Sequence, residues 1–504
     1  MRNIRINIKL LLFIAVTVLF SCTQDLDLTN PNTLTPDQFW QNESDVEKAI
    51  TAMYATNQYQ VWGGRWGAGE IRHLTQEARS DMVYWQIWQP MQGIARFDIS
   101  PANYMSWDLW KIAYETIFSA NQIIENVPNV PDLSTEQANI YIGEAKFIRA
   151  QNHFMLLKNF GNIIIQTEIA KSSDDFYKKQ ATKEEVWQQI ENDFKDAKAS
   201  LPATWDDQWL GRATKGAATA FLGKAYLYQE KWDEAITELT EVTKMGYGLV
   251  DNIGSLFDAT TDENTKERIF FINYTSNREG NREESITINN IYRDSKNGCT
   301  DFAKNLFLND TTSTGGFSKR FYDFVLWDDP GCDIYYWKGK SYREFYGPDE
   351  NRMFWKKWVH FHDYYEHITR SDTDYPIIRY SDVLLMLAEA LNESTAHTPG
   401  EAIPYVNMVR ERAGSALIPE TMTREELRQH IRHVERPLEF VLEGTRFYDL
   451  VRWYGFGKDG GLKKFLVDQG RYSAESFVDG ESEYHPIPQD EIDANPEIVQ
   501  NPGY

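Results

Sequence analysis

The sequence predicts a mainly α protein in which a scaffold of paired helices carries a loop-rich, aromatic-rich lobe containing short strands. Three observations point there. Long stretches place apolar residues at helical spacing. Two regions read as helix–turn–helix units with small residues at matching positions. Between these units, Asp251 to Tyr375 keeps no sustained period and concentrates aromatic side chains, as a functional loop region does.

Residues Met1 to Phe20 read as a signal peptide: Arg2, Arg5 and Lys9 precede the apolar run Leu10 to Phe20, which is too short to span a bilayer. The run ends at Leu19-Phe20-Ser21-Cys22, where a small residue precedes a cysteine. Removal of residues 1–21 by lipoprotein signal peptidase would free Cys22 to carry acyl chains, and two or three chains hold a protein stably on a membrane. Phe20 is bulkier than the usual residue at its position. Loss of three positive charges takes the formal charge from −23 to −26. That acidity argues against nucleic acid and polyanionic ligands. Cys299 and Cys332 are equally compatible with a disulfide in an exported protein and with two free thiols.

The mature chain opens on a Pro/Asn-rich tether from Leu28. Thr35 and Pro36 then provide a helix start, with Trp40, Val46, Ala49, Ile50 and Met53 at helical spacing. Helices are expected over Trp107–Asn126, Ser134–Phe160 and Trp187–Leu201. Thr214–Tyr247 reads as a tetratricopeptide-like hairpin, since Leu222-Gly223, Tyr226, Ala235 and Leu239 fall at the repeat's offsets. A looser copy spans Tyr380–Gly414, with Ala388 and Ala402 as its small residues. Stacked pairs of this kind form a solenoid, used here as a scaffold rather than as a peptide groove. Arg268–Tyr274 is strand-like.

Aromatic residues gather where period is lost. Tyr59–Gly93 holds Trp62, Trp66, Trp85 and Trp88 among glycines; the later excursion holds Trp327, Tyr335-Tyr336-Trp337, Tyr342, Phe345-Tyr346, Phe354-Trp355 and Trp358. Aromatic faces suit the C–H faces of sugar rings, and carboxylates and arginines orient sugar hydroxyls. The expected binding residues are Trp62, Trp66, Arg72, Glu77, Asp81, Trp85, Trp88, Trp327, Tyr336 and Trp337. The alternative is that each tryptophan merely packs. His360, His362, Asp363, Glu366 and His367 match no strong zinc spacing. Neither a metal nor a cofactor is expected, and no Ser/His/Asp, Cys/His or phosphate-loop signature is present.

The stretch His430–Gly457 is the densest in charge. Ile431, Val434, Leu438, Val441 and Leu442 form an apolar stripe, and Gly444 interrupts it. Arg432, Glu435, Arg436, Glu439, Glu443, Arg446, Asp449 and Arg452 lie between. Glu439 and Glu443 lie four apart on one face, Arg436 stands three before Glu439, and Arg446 three after Glu443, so a buried or half-buried structural ion-pair lattice is expected rather than a catalytic acid/base pair. Pro437 would kink the helix or sit in a first turn.

This stretch resembles the late helix of the SusD/RagB family. Glu435, Arg436, Glu439, Glu443, Gly444, Arg446, Phe447, Asp449, Leu450, Arg452 and Trp453 fit the family's pattern, with Pro437 a departure. His485–Tyr504 resembles the family's tail. Trp110, Tyr114, Ile117, Ala120 and Asn121, then Glu144, Ala145 and Arg149, and Ser80-Asp81 with Trp85, resemble its N-terminal motifs. The resemblance implies one SusD-like domain over 22–504, with an N-terminal part of about 22–250 and a C-terminal part of about 251–504. It implies non-catalytic binding of glycan at the cell surface, a lipid anchor in the outer membrane with Asp25 and Asp27 as a surface-export tag, and a SusC-like TonB-dependent transporter as partner. The glycan is expected to be neutral. A RagB-like peptide binder and a secreted glycoside hydrolase are the other readings.

Overall fold

A computed structural model describes residues 39–504, apart from 59, 62–65, 68–74, 85–88, 259–260, 262–264, 275–297, 333–340, 349 and 359–372. Cys22, Thr35 and the 360–367 histidine group therefore lie outside the described residues.

Eight helices among the described residues form the scaffold: α1 (Glu43–Gln58), α2 (Tyr104–Asn126), α3 (Thr135–Phe160), α4 (Lys183–Ser200), α5 (Lys215–Tyr228), α6 (Trp232–Val242), α7 (Tyr380–Glu393) and α8 (Pro399–Ala413). Each packs on the next in chain order, which is the solenoid the repeats imply. Their starts are chemically specified. Asn103, Ser134 and Thr214 accept hydrogen bonds from first-turn amides, and Thr182 with Glu185 closes a capping box. Gly414 ends α8 in the left-handed region. Trp40, expected within the first helix, precedes it; α1 begins at Glu43.

The α5–α6 hairpin has the expected close crossing. A Cβ on Gly223 would stand 2.8 Å from Leu239 Cδ2, so only glycine lets the helices approach this far. Ala235, Ala388 and Ala402 are fully buried. One hydrophobic core runs through all eight helices, from Val46 to Val409.

Strands are short. β1 (Gln60–Val61) and β2 (Trp66–Gly67) pair with each other. β4 (Arg268–Ile272) pairs antiparallel with β8 (Tyr375–Arg379), which runs directly into α7. The remaining four, β3 (Val83–Tyr84), β5 (Gly298–Cys299), β6 (Val325–Leu326) and β7 (Phe354–Trp355), make one sheet in the order β3-β5-β7-β6. Val83, Val325 and Trp355 face a second core beneath that sheet. Cys299 and Cys332 are free thiols.

The continuous apolar stripe expected over 431–442 is broken. An α-helical turn at Arg424–His430 widens into a π-helix at Ile431–Glu435, followed by a single turn at Arg436–Glu439. Pro437 accounts for this. It has no N–H for the carbonyl four residues back, and its ring would crowd that carbonyl. The wider turn lets the Arg436 N–H reach Ile431 O instead. Leu442 and Gly444 then take positive φ and the chain re-enters a helix at Arg446–Tyr454.

The charge lattice is real, but its pairs are not those the spacing suggests. Glu439 meets Arg320 (3.0 Å), Arg379 (2.6 Å) and Arg412. Glu443 meets Lys357 (2.7 Å) and Arg379 (2.9 Å), and Glu435 meets Arg320 (2.5 Å) and Arg410 (2.7 Å). Arg436 bonds Asp449 (2.7 Å) and Asp382 (3.0 Å), and Asp382 also takes Lys224 of α5 (2.8 Å). All these groups are buried. Against the opposing effect of burial, flanking arginines pull Glu435 and Glu439 well below the usual carboxylate range, and Lys224 with Arg436 does the same to Asp382. Such a lattice adds little net stability, yet it penalises any packing that strands one of its members. It ties α5, α7 and α8 to the lobe.

Candidate functional site

The four-stranded sheet joins the two aromatic stretches picked out in the sequence. Val83–Tyr84, which directly precedes Trp85, is one edge strand; Val325–Leu326, which directly precedes Trp327, is the other. Tyr84 pairs with Gly298, Gly298 with Phe354, and Phe354 with Leu326. Alternation puts this row on the face opposite the second core. Tyr84 is 50% exposed. Tyr346 stacks on Phe354 at 4.4 Å and 19°, Tyr342 lies 4.8 Å from Tyr346, and Trp327 lies 6.3 Å from Tyr342. The Lys304 ammonium sits 4.4 Å from the Trp327 ring. Gly298 lets the middle of the row pack closely: a Cβ there would come within 3.1 Å of Met353 O and 3.6 Å of the Phe354 ring. Phe354, Leu326 and Tyr342 are buried, which leaves Tyr84 as the exposed ring of the row.

Beside Tyr84 is a cavity of about 320 Å³, with Gln92, Arg96, Thr300, Asp301 and Ser473 among its lining residues. Its polar groups and one exposed ring suit a small hydroxylated ligand.

The backbone under Tyr84 is held by Arg471. Its guanidinium donates to the carbonyls of Ser80 (2.5 Å), Val83 (2.7 Å), Ala95 (3.3 Å) and Ala78. Burial lowers its pKa to about 10. Thr300 Oγ1 donates to Asp81 O at 2.6 Å. Nothing in the sequence around Arg471 signals this role.

Glu77 and Asp81 were expected to meet sugar hydroxyls; the structure ties the carboxylates of both into the fold, and Asp81 also lines the Tyr84 cavity. Each is 1% exposed. Both oxygens of Asp81 are taken by Arg446, at 2.8 and 2.7 Å. Glu77 Oε1 accepts from the Gly444 N–H at 2.8 Å, and burial raises its pKa to about 7. They anchor the loop from below. Trp327 is half-buried and packs against the second core, with its ring 6.3 Å from that of Tyr342. Trp66 falls in β2, its side chain outside the description. Trp62, Arg72, Trp85, Trp88, Tyr336 and Trp337 lie outside the described residues. Tyr342, Tyr346 and Phe354 were legible as aromatic clusters, but Tyr84, overshadowed by its tryptophan neighbours, was not singled out.

Among the described residues, no group of His, Cys, Asp or Glu is arranged to hold a metal, and no helix is long and apolar enough to cross a membrane.

Comparison with known proteins agrees with this architecture. Residues 254–504 match the model of the SusD family, and residues 25–227 match a model described as starch-binding, associating with the outer membrane. A SusD-like protein of Formosa agariphila is 26% identical over 481 residues, covering 89% of this chain and 91% of its own. A SusD superfamily protein of Bacteroides vulgatus has a crystal structure that superposes with a TM-score of 0.80 at 28% identity, covering 92% of this chain and 100% of its own. A laminarin-binding SusD-like protein superposes with a TM-score of 0.71 at 26% identity, with the same coverage. Sequence motifs, helical scaffold and structural relatives agree, and the chain belongs to the SusD family.

Proposed function

We propose that this protein binds a neutral polysaccharide or oligosaccharide at the cell surface, without converting it, and delivers it to a SusC-like TonB-dependent transporter. The observation carrying this reading is the aromatic face of the four-stranded sheet beside the Tyr84 cavity. The half-exposed Tyr84 ring offers its face to sugar C–H groups, the buried rings behind it hold the sheet edge in place, and Gln92, Arg96 and Asp301 supply hydroxyl partners. The family's description as starch-binding and the laminarin-binding relative support the ligand class. The non-catalytic reading is supported by the fate of the late motif's carboxylates, which are consumed in buried ion pairs.

The lipid anchor is Cys22, which tethers the protein to the outer membrane with its binding face outward. Changing Cys22→Ala releases a folded protein from the membrane fraction; a variant still fully membrane-bound argues against the anchor. For the ligand, calorimetric titration with laminarin and starch tests binding, and an assay for new reducing ends tests conversion. Heat of binding with no reducing ends is expected. New reducing ends would instead favour a hydrolase, and binding of peptide alone would favour the RagB-like branch.

A further inference from the structure

A second cavity, of about 400 Å³, opens between the turn following α4 and the β4–β8 pair, and shares no lining residue with the Tyr84 cavity. Its polar groups are pre-oriented. The Arg268 guanidinium rests 4.4 Å from the Phe271 ring and pairs with Asp374. Its Nη2 donates to Asn273 Oδ1 at 2.6 Å, and Asn273 Nδ2 donates in turn to Leu210 O at 3.1 Å. Asp374 Oδ1 also accepts from the Tyr274 N–H at 2.7 Å. This array depends on Gly211, whose φ is +97°; a Cβ there would fall 2.2 Å from Asn273 Nδ2.

The cavity also holds a ring. Trp205 is half-buried, and its Nε1 donates to Ala213 O at 2.8 Å, which fixes the indole plane. The Arg212 guanidinium lies 5.0 Å from that ring and 4.3 Å from Trp209. Arg212 is neutralised by Glu47 (2.7 Å) and Glu144 (3.4 Å), as Arg268 is by Asp374. The two arginines therefore present oriented N–H groups without net positive charge, which disfavours phosphate or sulfate. Thr265 lines the same cavity, and its buried Oγ1 has no hydrogen-bond partner among the described residues. Rotation of the Thr265 side chain toward the cavity would bring that hydroxyl to a ligand hydroxyl and meet the deficit.

An oriented, charge-balanced polar array beside a fixed indole, with an unmet hydroxyl, is suited to an uncharged polyhydroxylated ring. We propose that this cavity is a second carbohydrate-binding site, with Trp205 as the stacking ring and Arg268, Asn273 and Thr265 as hydroxyl partners. The inference rests on the glycan reading above. Two sites on one protein hold a long chain at two points, so the second contact becomes intramolecular and avidity rises without a larger single site.

Native mass spectrometry of the purified protein with laminarihexaose and with maltohexaose tests it. Wild type takes up two copies of the hexasaccharide it binds. Trp205→Ala takes up one, and so does Trp327→Ala, which damages the first site. Thr265→Val, nearly isosteric, weakens the second binding event about fivefold or more while leaving the melting temperature unchanged, so the test survives a Trp205→Ala variant that fails to fold. A single copy on wild type, or two copies undiminished on folded Trp205→Ala and Thr265→Val, overturns the second site and leaves the first standing. Uptake of neither sugar by wild type overturns both.

Discussion

Arg446 and Asp81, 365 residues apart in the chain, meet in a buried two-pronged ion pair, Nε to Oδ1 at 2.8 Å and Nη2 to Oδ2 at 2.7 Å. The late charged motif thereby fastens the loop that presents Tyr84. Removing Asp81 strands a buried guanidinium, so Asp81→Ala should cost about 3–5 kcal/mol of stability. Thermal unfolding checks this. An unchanged melting temperature with lost glycan binding would mean that Asp81 faces the ligand after all.

Glu439 is shared by three arginines of the lattice, Arg320, Arg379 and Arg412. Glu439→Ala should destabilise by a similar amount, and Glu439→Gln by less, since the amide still accepts hydrogen bonds. Glu435, Glu439 and Asp382 have folded-state pKa values below those of the unfolded chain. The stability they contribute is fully present above roughly pH 4.3 and is lost as the pH falls further. Denaturant unfolding from neutral pH down to about pH 3 should show that loss in wild type, reduced in Glu439→Gln.

Glu77 behaves in the opposite sense. Burial raises its pKa from an ordinary 4.5 to about 7. Its contribution is greatest below the ordinary value and is lost as the pH rises through about 7. Glu77→Gln keeps an acceptor for the Gly444 N–H but cannot ionise. Between about pH 5 and pH 7.5 the variant should lose less stability than wild type. Parallel curves for the two proteins would show that Glu77 does not titrate in this range.

The scaffold carries its own test at Gly223. A methyl there collides with Leu239 Cδ2 at 2.8 Å, so Gly223→Ala should cost about 1–3 kcal/mol despite alanine's better helix propensity. Stabilisation instead would mean that α5 and α6 can separate without loss.

Several helices were legible from apolar residues at helical spacing, and α3 and α5, buried on most sides, also from their start signals Ser134 and Thr214. Gly223, Ala235 and Leu239 marked a helix crossing for the same reason. The four-stranded sheet was not legible: its strands are two residues long and show no alternation. The ion lattice was half legible. Charge density marked Glu439 and Glu443 as structural, but local spacing pointed to Arg436 and Arg446 as partners. Their true partners, Arg379 and Lys357, come from distant segments. The same blindness to long-range pairing hid the partners of Glu77 and Asp81, Gly444 and Arg446.

The account stands most directly on one measurement: calorimetric titration of Tyr84→Ala and Trp327→Ala, separately, with the neutral polysaccharide that wild type binds, alongside their melting temperatures. Loss of one stacked ring is worth roughly 1–3 kcal/mol, by analogy with rings stacked on nucleobases. Each variant should bind about tenfold more weakly, with little dependence on salt; Tyr84→Ala should melt like wild type, and Trp327→Ala, whose ring packs against the second core, should melt lower but stay folded. Two folded variants that bind like wild type would contradict the account, and would leave the aromatic face as cover for the scaffold.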